Sequence, residues 1–160
     1  MSNTLIEKKF TQAAKLIADL MIENGLSDWT IKTNAKRSAL AETYYTRKEI
    51  QFSKFFLMVA DKDHVTGVAL HEIAHALVGV GHGHGKVFQD KCKEISPNAD
   101  YAQRSVSIVS LRRFLLTCPS CGQSGSHNSS LVRYCGKCFA KDQSKVKFEV
   151  KPNVLEVKVW

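Results

Sequence analysis

The sequence is poor in the features that mark fibrous, membrane-spanning and secreted proteins. Its 160 residues include only three prolines and nine glycines, which excludes collagen-like and proline-rich architectures. No run of about 18 apolar residues occurs, so the sequence predicts no transmembrane helix. The first ten residues are polar and carry Glu7, Lys8 and Lys9 where a signal peptide would be apolar. We therefore expect a protein that is not secreted.

Acidic residues are scarce towards the C-terminal end. Residues 101–160 contain ten Lys/Arg and three Asp/Glu, a balance of +7, whereas residues 1–100 contain 13 and 12, a balance of +1. This clustered positive charge favours a polyanionic partner, most often nucleic acid, although a basic surface without a partner gives the same count. The composition, 44% hydrophobic and 24% charged, is that of a globular domain, alone or with a small metal-held module.

Apolar periodicity predicts mixed helical and strand structure. Apolar residues recur every three or four positions over residues 4–24, 65–80 and 86–95, which predicts three helices. Alternation predicts short strands over residues 29–33, 39–45 and 49–52, which we expect to form an antiparallel meander. Two further strands are predicted over residues 146–150 and 154–159, and residues 106–116 are apolar enough to pack as either strand or helix.

His71, Glu72 and His75 form an HExxH motif inside the segment predicted as a helix over residues 65–80. Positions i and i+4 of a helix lie on one face about 6 Å apart, so two imidazoles placed there can bind one zinc ion. Three protein ligands leave one zinc position open, and the intervening carboxylate can take a proton from a water as that water attacks a carbonyl group. The motif arises by chance in such a composition with a frequency of about 0.01, which favours a metal site over two buried structural histidines.

The residues after the motif leave three candidates for the third ligand. His84 lies in a glycine-rich loop, His82 lies two residues earlier in the same loop, and Glu94 lies in the next predicted helix. The glycines around the two histidines allow the chain to turn back towards the motif. The metzincin pattern is absent, because Val78 and Gly81 occupy the positions where that pattern has Gly and His.

Four of the five cysteines form two CxxC pairs separated by thirteen residues. They are Cys118, Cys121, Cys135 and Cys138. In a chain without a secretion signal, this spacing predicts a four-cysteine zinc site in a reducing compartment and not a set of disulfides. Four thiolates leave no open position, so we expect this zinc to be structural and to supply the folding energy of its module. The fifth, Cys92, is expected to be a buried packing residue.

The segment HEIAHALVGVGHGHGKVF resembles the SprT-like metallopeptidase family, which includes bacterial SprT proteins and the eukaryotic Spartan proteases. In that family the HExxH motif is followed, after a variable loop, by a His-Gly pair and an aromatic residue, matched here by His84, Gly85 and Phe88. The resemblance, which extends over about residues 5–140, therefore favours His84 as the third ligand. It implies action on proteins bound or crosslinked to DNA, with DNA as a partner and a role in DNA repair, and many members carry a C-terminal zinc ribbon.

These observations together predict an α+β protein. We expect a zincin-like metallopeptidase domain over residues 1–105, with helices and a small antiparallel sheet, followed by a basic four-cysteine zinc-ribbon module with terminal strands over residues 106–160. The cofactors are one catalytic and one structural zinc ion. We expect no membrane association and a cytoplasmic location, which would be nuclear in a eukaryote and the host cytoplasm for a virus.

The predicted function is zinc-dependent hydrolysis of peptide bonds in protein substrates, with Glu72 as the general base. A short strand such as residues 49–52 is expected to pair with an extended substrate by strand addition. The alternative is a non-catalytic nucleic-acid-binding zinc-ribbon protein, in which both metal sites serve stability and the basic end grips phosphates.

The candidate nucleic-acid contacts are basic residues around the CxxC pairs. They are Arg112, Arg113, Arg133, Lys137, Lys141 and Lys145. Tyr134 and Phe139 lie among them and are capable of stacking on bases, but we expect both rings to pack beneath the zinc module.

Overall fold

The computed structural model describes residues 3–96, 111–158 and 160, and its fold is of the mixed α and β class that the sequence predicts. The chain forms two compact units. The N-terminal unit comprises Met1–Val106 and Glu156–Trp160, and the C-terminal unit comprises Ser107–Leu155. Residues 156–160, which sequence composition groups with the zinc module, therefore belong to the N-terminal unit.

The helices described in the N-terminal unit are α1 (Asn3–Glu23), α2 (Lys54–Val59), α3 (Lys62–Val78) and α4 (Lys86–Ile95). Periodicity predicts three of them to within a few residues, but not α2, whose short apolar run shows no helical period. The Asp61 side chain accepts a hydrogen bond from the His64 backbone N–H at 2.9 Å. This cap starts α3 three residues before its apolar pattern begins. None of the described helices has both the length and the apolar character needed to cross a bilayer.

One face of α1 provides much of the core of the N-terminal unit. Lys9, Ala13, Ile17 and Met21 recur at intervals of four residues and are at most 2% exposed. This face packs against α3, whose inner positions are also buried. The helix ends as predicted, at a glycine, because Gly25 adopts a φ of +76°, which L side chains rarely adopt. The amphipathic pattern of residues 4–24 therefore has a direct physical counterpart in the packing.

The strands of the N-terminal unit are β1 (Thr30–Asn34), β2 (Ala41–Tyr44) and β3 (Glu49–Ser53), and they form one sheet in the order β1-β3-β2. β3 runs parallel to β1 and antiparallel to β2, so the predicted antiparallel meander is wrong. Alternation predicts strands but carries no information about partners, and β3 takes the centre because Ile50 and Phe52 are fully buried there. The predicted pairing of residues 49–52 with a substrate is also wrong, because neighbouring strands occupy both edges of β3.

β2 is an edge strand within the described residues, and its register determines which backbone groups face outwards. The Ser53 N–H donates to the Leu40 carbonyl at 2.8 Å, so these residues form a hydrogen-bonded pair. Hydrogen-bonded pairs alternate along an antiparallel ladder, so Glu42, two residues further along, also forms such a pair, opposite Gln51. The N–H and C=O groups of Ala41 and Thr43 therefore point away from β3. This leaves an open edge on the strand that packs against α3.

The C-terminal unit contains β4 (Phe114–Thr117), β5 (Ser124–His127), α5 (Gly136–Asp142) and β6 (Glu149–Pro152). The strands form an antiparallel sheet in the order β5-β4-β6. The predicted strand over residues 146–150 overlaps β6, whereas residues 154–158 form no strand. In the undecided segment 106–116, the last three residues belong to β4, and residues 106–110 lie outside the described part. The sequence does not predict β5 and α5, because their short segments lack apolar periodicity.

The chain returns to the N-terminal unit in residues 156–160, here called the C-terminal tail. The Lys158 N–H donates to the Met58 carbonyl at 2.9 Å. The Trp160 indole N–H donates to the Ala60 carbonyl at 3.2 Å, and the Lys9 ammonium donates to the same carbonyl at 2.7 Å. Lys9 also lies over the Trp160 ring, 4.2 Å from its centre. The tail therefore packs its Trp160 ring against the buried Lys9 ammonium group, and both side chains donate to the same carbonyl.

Candidate metal centres

The α3 helix and the glycine-rich loop after it bring three imidazoles together. His71 and His75 lie one turn apart on α3, and Nε2 of His84 lies 3.1 Å from Nε2 of each. The loop can return to the helix because Gly83, beside His84, adopts a φ of +49°. The Gln89 side chain on α4 donates to the His84 carbonyl at 3.1 Å and fixes the end of the loop.

The three ring nitrogens fit a metal ion better than they fit hydrogen bonds. A neutral imidazole has one N–H, so Nε2 of His84 can donate to at most one of its two neighbours, and the remaining lone pairs would repel each other. In a tetrahedral zinc site with Zn–N distances of about 2.1 Å, ligand nitrogens lie about 3.4 Å apart. The observed separations of 3.1 Å are close to this value. The cluster therefore fits a zinc ion held by three residues, with one position left for a further ligand.

A buried phenylalanine on α4 backs the three imidazoles. Phe88 is 4% exposed, and its ring centre lies 4.2 Å from that of His75 in a stacked arrangement. It lies 4.9 Å from His71 and 5.0 Å from His84. Burial, with the nearby His71 and His84 adding to it, lowers the pKa of His75 to about 4. The His75 ring is therefore neutral near pH 7, which is the form that binds a metal ion.

The other two candidates for the third ligand lie outside the cluster. The His82 side chain is exposed, and its carbonyl accepts the Gly85 N–H at 3.0 Å. The Glu94 carboxylate forms an ion pair with Lys91 at 2.6 Å. The structure thus brings His84, the candidate that the family resemblance favours, to the two motif histidines.

Glu72, which lies between the two motif histidines in the sequence, is buried, at 8% exposure. The Thr43 hydroxyl on β2 donates to its Oε2 at 2.7 Å and also lies 3.1 Å from the Glu72 backbone oxygen. Burial raises the pKa of Glu72 to about 7, and the Thr43 hydrogen bond acts in the opposite direction. No sequence pattern identifies Thr43, because it lies 29 residues from its partner and belongs to no motif.

The four CxxC cysteines form a second cluster, in the C-terminal unit. Sγ of Cys118 lies 3.7 Å from that of Cys138, and Sγ of Cys121 lies 3.6 Å from that of Cys135. A tetrahedral site with Zn–S distances of about 2.3 Å places sulfurs about 3.8 Å apart. None of the four forms a disulfide. The donor set and its spacing therefore fit a closed, structural zinc site.

The six candidate nucleic-acid contacts differ in their surroundings. Arg112 donates to the Ser126 carbonyl at 2.8 Å, and Arg133 lies 2.7 Å from Nε2 of His127. These two side chains are half-buried and have partners within the C-terminal unit. The other four are exposed: Arg113, Lys137, Lys141 and Lys145.

The two aromatic residues among these basic side chains do not pack as predicted. Tyr134 is 56% exposed and Phe139 is 51% exposed, so the expectation that both pack beneath the module is wrong. Three of the cysteines form the buried cluster of this unit instead, with Val146 and Phe148 packed against them. Phe139 lies on α5 between Lys137 and Lys141 in sequence, so the same helix carries an exposed aromatic ring and two exposed lysines.

A mixed α and β fold with a three-histidine cluster of this kind is typical of metallopeptidases. The family model of the SprT-like family matches residues 6–108, and the chain belongs to this family. Membership supports a metallopeptidase-type function. Among solved structures, the metallopeptidase zymogen of Methanocaldococcus jannaschii jannalysin is similar, at 15% sequence identity and a TM-score of 0.45, over 51% of this chain and 79% of that chain. No curated protein sequence matches this chain.

Proposed function

We propose that this protein is a zinc-dependent metalloendopeptidase whose metal ligands are His71, His75 and His84. The observation that carries the proposal is the convergence of three imidazole Nε2 atoms, two of them on the helix that also carries the buried Glu72. A purely structural site has no use for an acid next to an open metal position. The cysteine cluster of the C-terminal unit is proposed to hold a second, structural zinc.

The residues of the site have separable roles in peptide hydrolysis. When bound, zinc supplies Lewis-acid chemistry, because it polarises a carbonyl oxygen and lowers the pKa of water. Glu72 accepts the proton of the attacking water and delivers it to the nitrogen of the leaving amine. Phe88 fills the space behind the imidazoles and keeps water from that side of the ligands.

The open edge of β2 is the proposed docking site for an extended substrate chain. β2 packs against α3, and the backbone groups of Ala41 and Thr43 face outwards. A substrate strand can satisfy these groups by strand addition, which fixes its backbone without regard to its side chains. β2 replaces β3 in this role, since β3 lies between two other strands.

The exposed basic residues of the C-terminal unit support DNA as a partner and DNA-bound proteins as substrates. Lys137, Lys141 and Lys145 are exposed close to the exposed Phe139 ring in sequence. Ammonium groups bind phosphates, and an aromatic ring stacks on unpaired bases. The disulfide-free cysteines support a reducing compartment, such as the cytoplasm or nucleus.

The proposed function is tested by cleavage of fluorescein-labelled casein, with and without single-stranded DNA. We expect zinc-dependent cleavage by the wild type and a loss of at least about 100-fold in Glu72→Gln with zinc retained. Glu94→Gln is the matched control, because it removes a carboxylate that lies outside the cluster, and we expect full activity. Equal cleavage by wild type and Glu72→Gln would remove the assigned base. DNA binding without cleavage under any condition would favour the non-catalytic alternative.

A further inference from the structure

We infer that Thr43 is the positioning residue for the base of the reaction, an inference that rests on the proposed function. Its hydroxyl contacts Oε2 of Glu72 at 2.7 Å. Among the described residues, no other side chain donates a hydrogen bond to this carboxyl group. A carboxyl group in so buried a position depends on such a donor for its orientation, because water cannot replace it freely.

The contact fixes one oxygen of the carboxyl group and leaves the other for the reaction. A hydrogen bond to a carboxylate at 2.7 Å is in the range of a charge-assisted bond. With Oε2 held by Thr43, Oε1 is the oxygen that can accept a proton from the attacking water. Rotation of the carboxyl group would exchange these roles, and the hydroxyl opposes that rotation.

Thr43 also lies where the proposed substrate strand would pair. Its backbone N–H and C=O face the open edge of β2, while its side chain faces Glu72 on α3. A substrate bound along this edge therefore contacts the same residue that orients the base. The two roles use different atoms, so a side-chain substitution that keeps the strand intact can separate them.

The chemical requirements of the site explain why threonine fits it. β-branched residues have restricted χ1 angles and suit strands, so the hydroxyl is held in one direction at little entropic cost. Valine has the same shape but no hydroxyl, and serine keeps the hydroxyl but loses the methyl group. The pair Thr43→Val and Thr43→Ser therefore distinguishes the hydrogen bond from the packing.

The test measures kcat and KM for labelled casein in Thr43→Val, Thr43→Ser and the wild type. We expect Thr43→Val to lower kcat about 10- to 100-fold with KM changed less than about twofold, because the backbone that pairs with substrate is retained. We expect Thr43→Ser to keep kcat within about threefold of the wild type, since it retains the donor. Thr33→Val, an exposed threonine of β1 in the same sheet, is the control and should keep wild-type kcat.

A crystal structure of each variant provides a readout that needs no turnover. We expect the Glu72 carboxyl group to leave its position in Thr43→Val and to keep it in Thr43→Ser, with unchanged zinc content in both. Wild-type kcat in Thr43→Val, or an equal loss of kcat in both variants, would overturn the inference while leaving the proposed function intact. Failure of the wild type to exceed Glu72→Gln would overturn the proposed function and the inference with it.

Discussion

Lys9 is an unexpected residue in the core of the N-terminal unit, because an ammonium group is costly to bury. Burial, opposed by the charge of Asp61, lowers the pKa of Lys9 from 10.5 to about 8. Between these two values the unfolded chain holds a proton that the folded chain has lost. The free energy of unfolding is therefore expected to rise with pH over this range, by at most about 1.4 kcal/mol per pH unit.

This pH dependence is measured by chemical denaturation of the wild type and of Lys9→Met between pH 8 and pH 10.5. We expect the rise in unfolding free energy to disappear in Lys9→Met, because methionine keeps most of the aliphatic volume and removes the titrating group. Lys8→Met, on the exposed side of the same helix, should keep the rise. An identical pH profile in wild type and Lys9→Met would show that another group is responsible.

Single residues of the site differ in how well the sequence predicts them. His71 and His75 follow from spacing alone, because four residues along a helix return a side chain to the same face. His84 follows from the family resemblance, since residue types alone leave His82 and Glu94 open. Thr43 follows from neither, because its contact with Glu72 depends on how a strand packs against a helix distant in sequence.

The element β2 provides a prediction that separates substrate pairing from sheet stability. The Ala41 N–H faces outwards and pairs with no described residue, whereas the Glu42 N–H lies in the ladder with β3. We expect Ala41→Pro to fold and bind zinc but to raise KM for casein at least about tenfold, because proline removes a donor at the open edge. We expect Glu42→Pro to lose folding, because it removes a bond of the ladder.

The measurements are circular dichroism, zinc content and casein cleavage for both proline variants. A folded Ala41→Pro protein with wild-type KM would place substrate binding elsewhere. Loss of folding in Ala41→Pro is distinguished by circular dichroism. In that case Ala41 N-methylation by protein semisynthesis removes the same donor without a ring, and wild-type KM after that change would equally contradict the prediction.

The element α5 provides a prediction about DNA. Lys137 and Lys141 lie one turn apart on its exposed surface, so both can contact the same phosphate backbone. We expect Lys137→Ala with Lys141→Ala to weaken binding of a thymidine oligonucleotide and to lower the slope of log K against log salt by about 1.4, which is two phosphate contacts on a single strand. Fluorescence anisotropy at several salt concentrations measures both quantities.

Two further variants give the α5 prediction its controls. Lys8→Ala with Lys15→Ala makes the same change in net charge within the N-terminal unit, and we expect the wild-type slope. Phe139→Ala is expected to lower affinity without changing the slope, because stacking releases no counterions. An equal change of slope in both lysine pairs would indicate a general charge effect and would contradict α5 as the contact.

Helices and strands of this protein are predictable from sequence to different degrees. Long amphipathic helices such as α1 follow from apolar periodicity, because one stripe of the helix must be buried. The position of β3 between β1 and β2 does not follow, because alternation fixes which face of a strand is buried and says nothing about its neighbours. β5 has little apolar character and is therefore not predicted. It pairs with β4 across the segment that contains Cys118 and Cys121.

At the scale of the whole molecule, two separate donor sets predict two separable zinc ions per chain. We expect two zinc equivalents in the wild type, one in His84→Ala and one in Cys135→Ser, measured by inductively coupled plasma mass spectrometry. Cys135→Ser is expected to unfold the C-terminal unit, because Cys118, Cys135 and Cys138 are among its few fully buried residues. Cys92→Ser leaves both donor sets intact and should retain both ions. A single zinc in the wild type would leave one cluster without its proposed role.

The C-terminal tail has a consequence for how the protein is made. During translation the ribosome releases α1 to α4 first, then the whole C-terminal unit, and only afterwards the residues that cover Lys9. The N-terminal unit therefore lacks the packing of Trp160 against Lys9 until the residues of both metal clusters have been synthesised. Nascent chains stalled before residue 156 should accordingly expose the Lys9 surface to added protease. Released chains that include Trp160 should protect it.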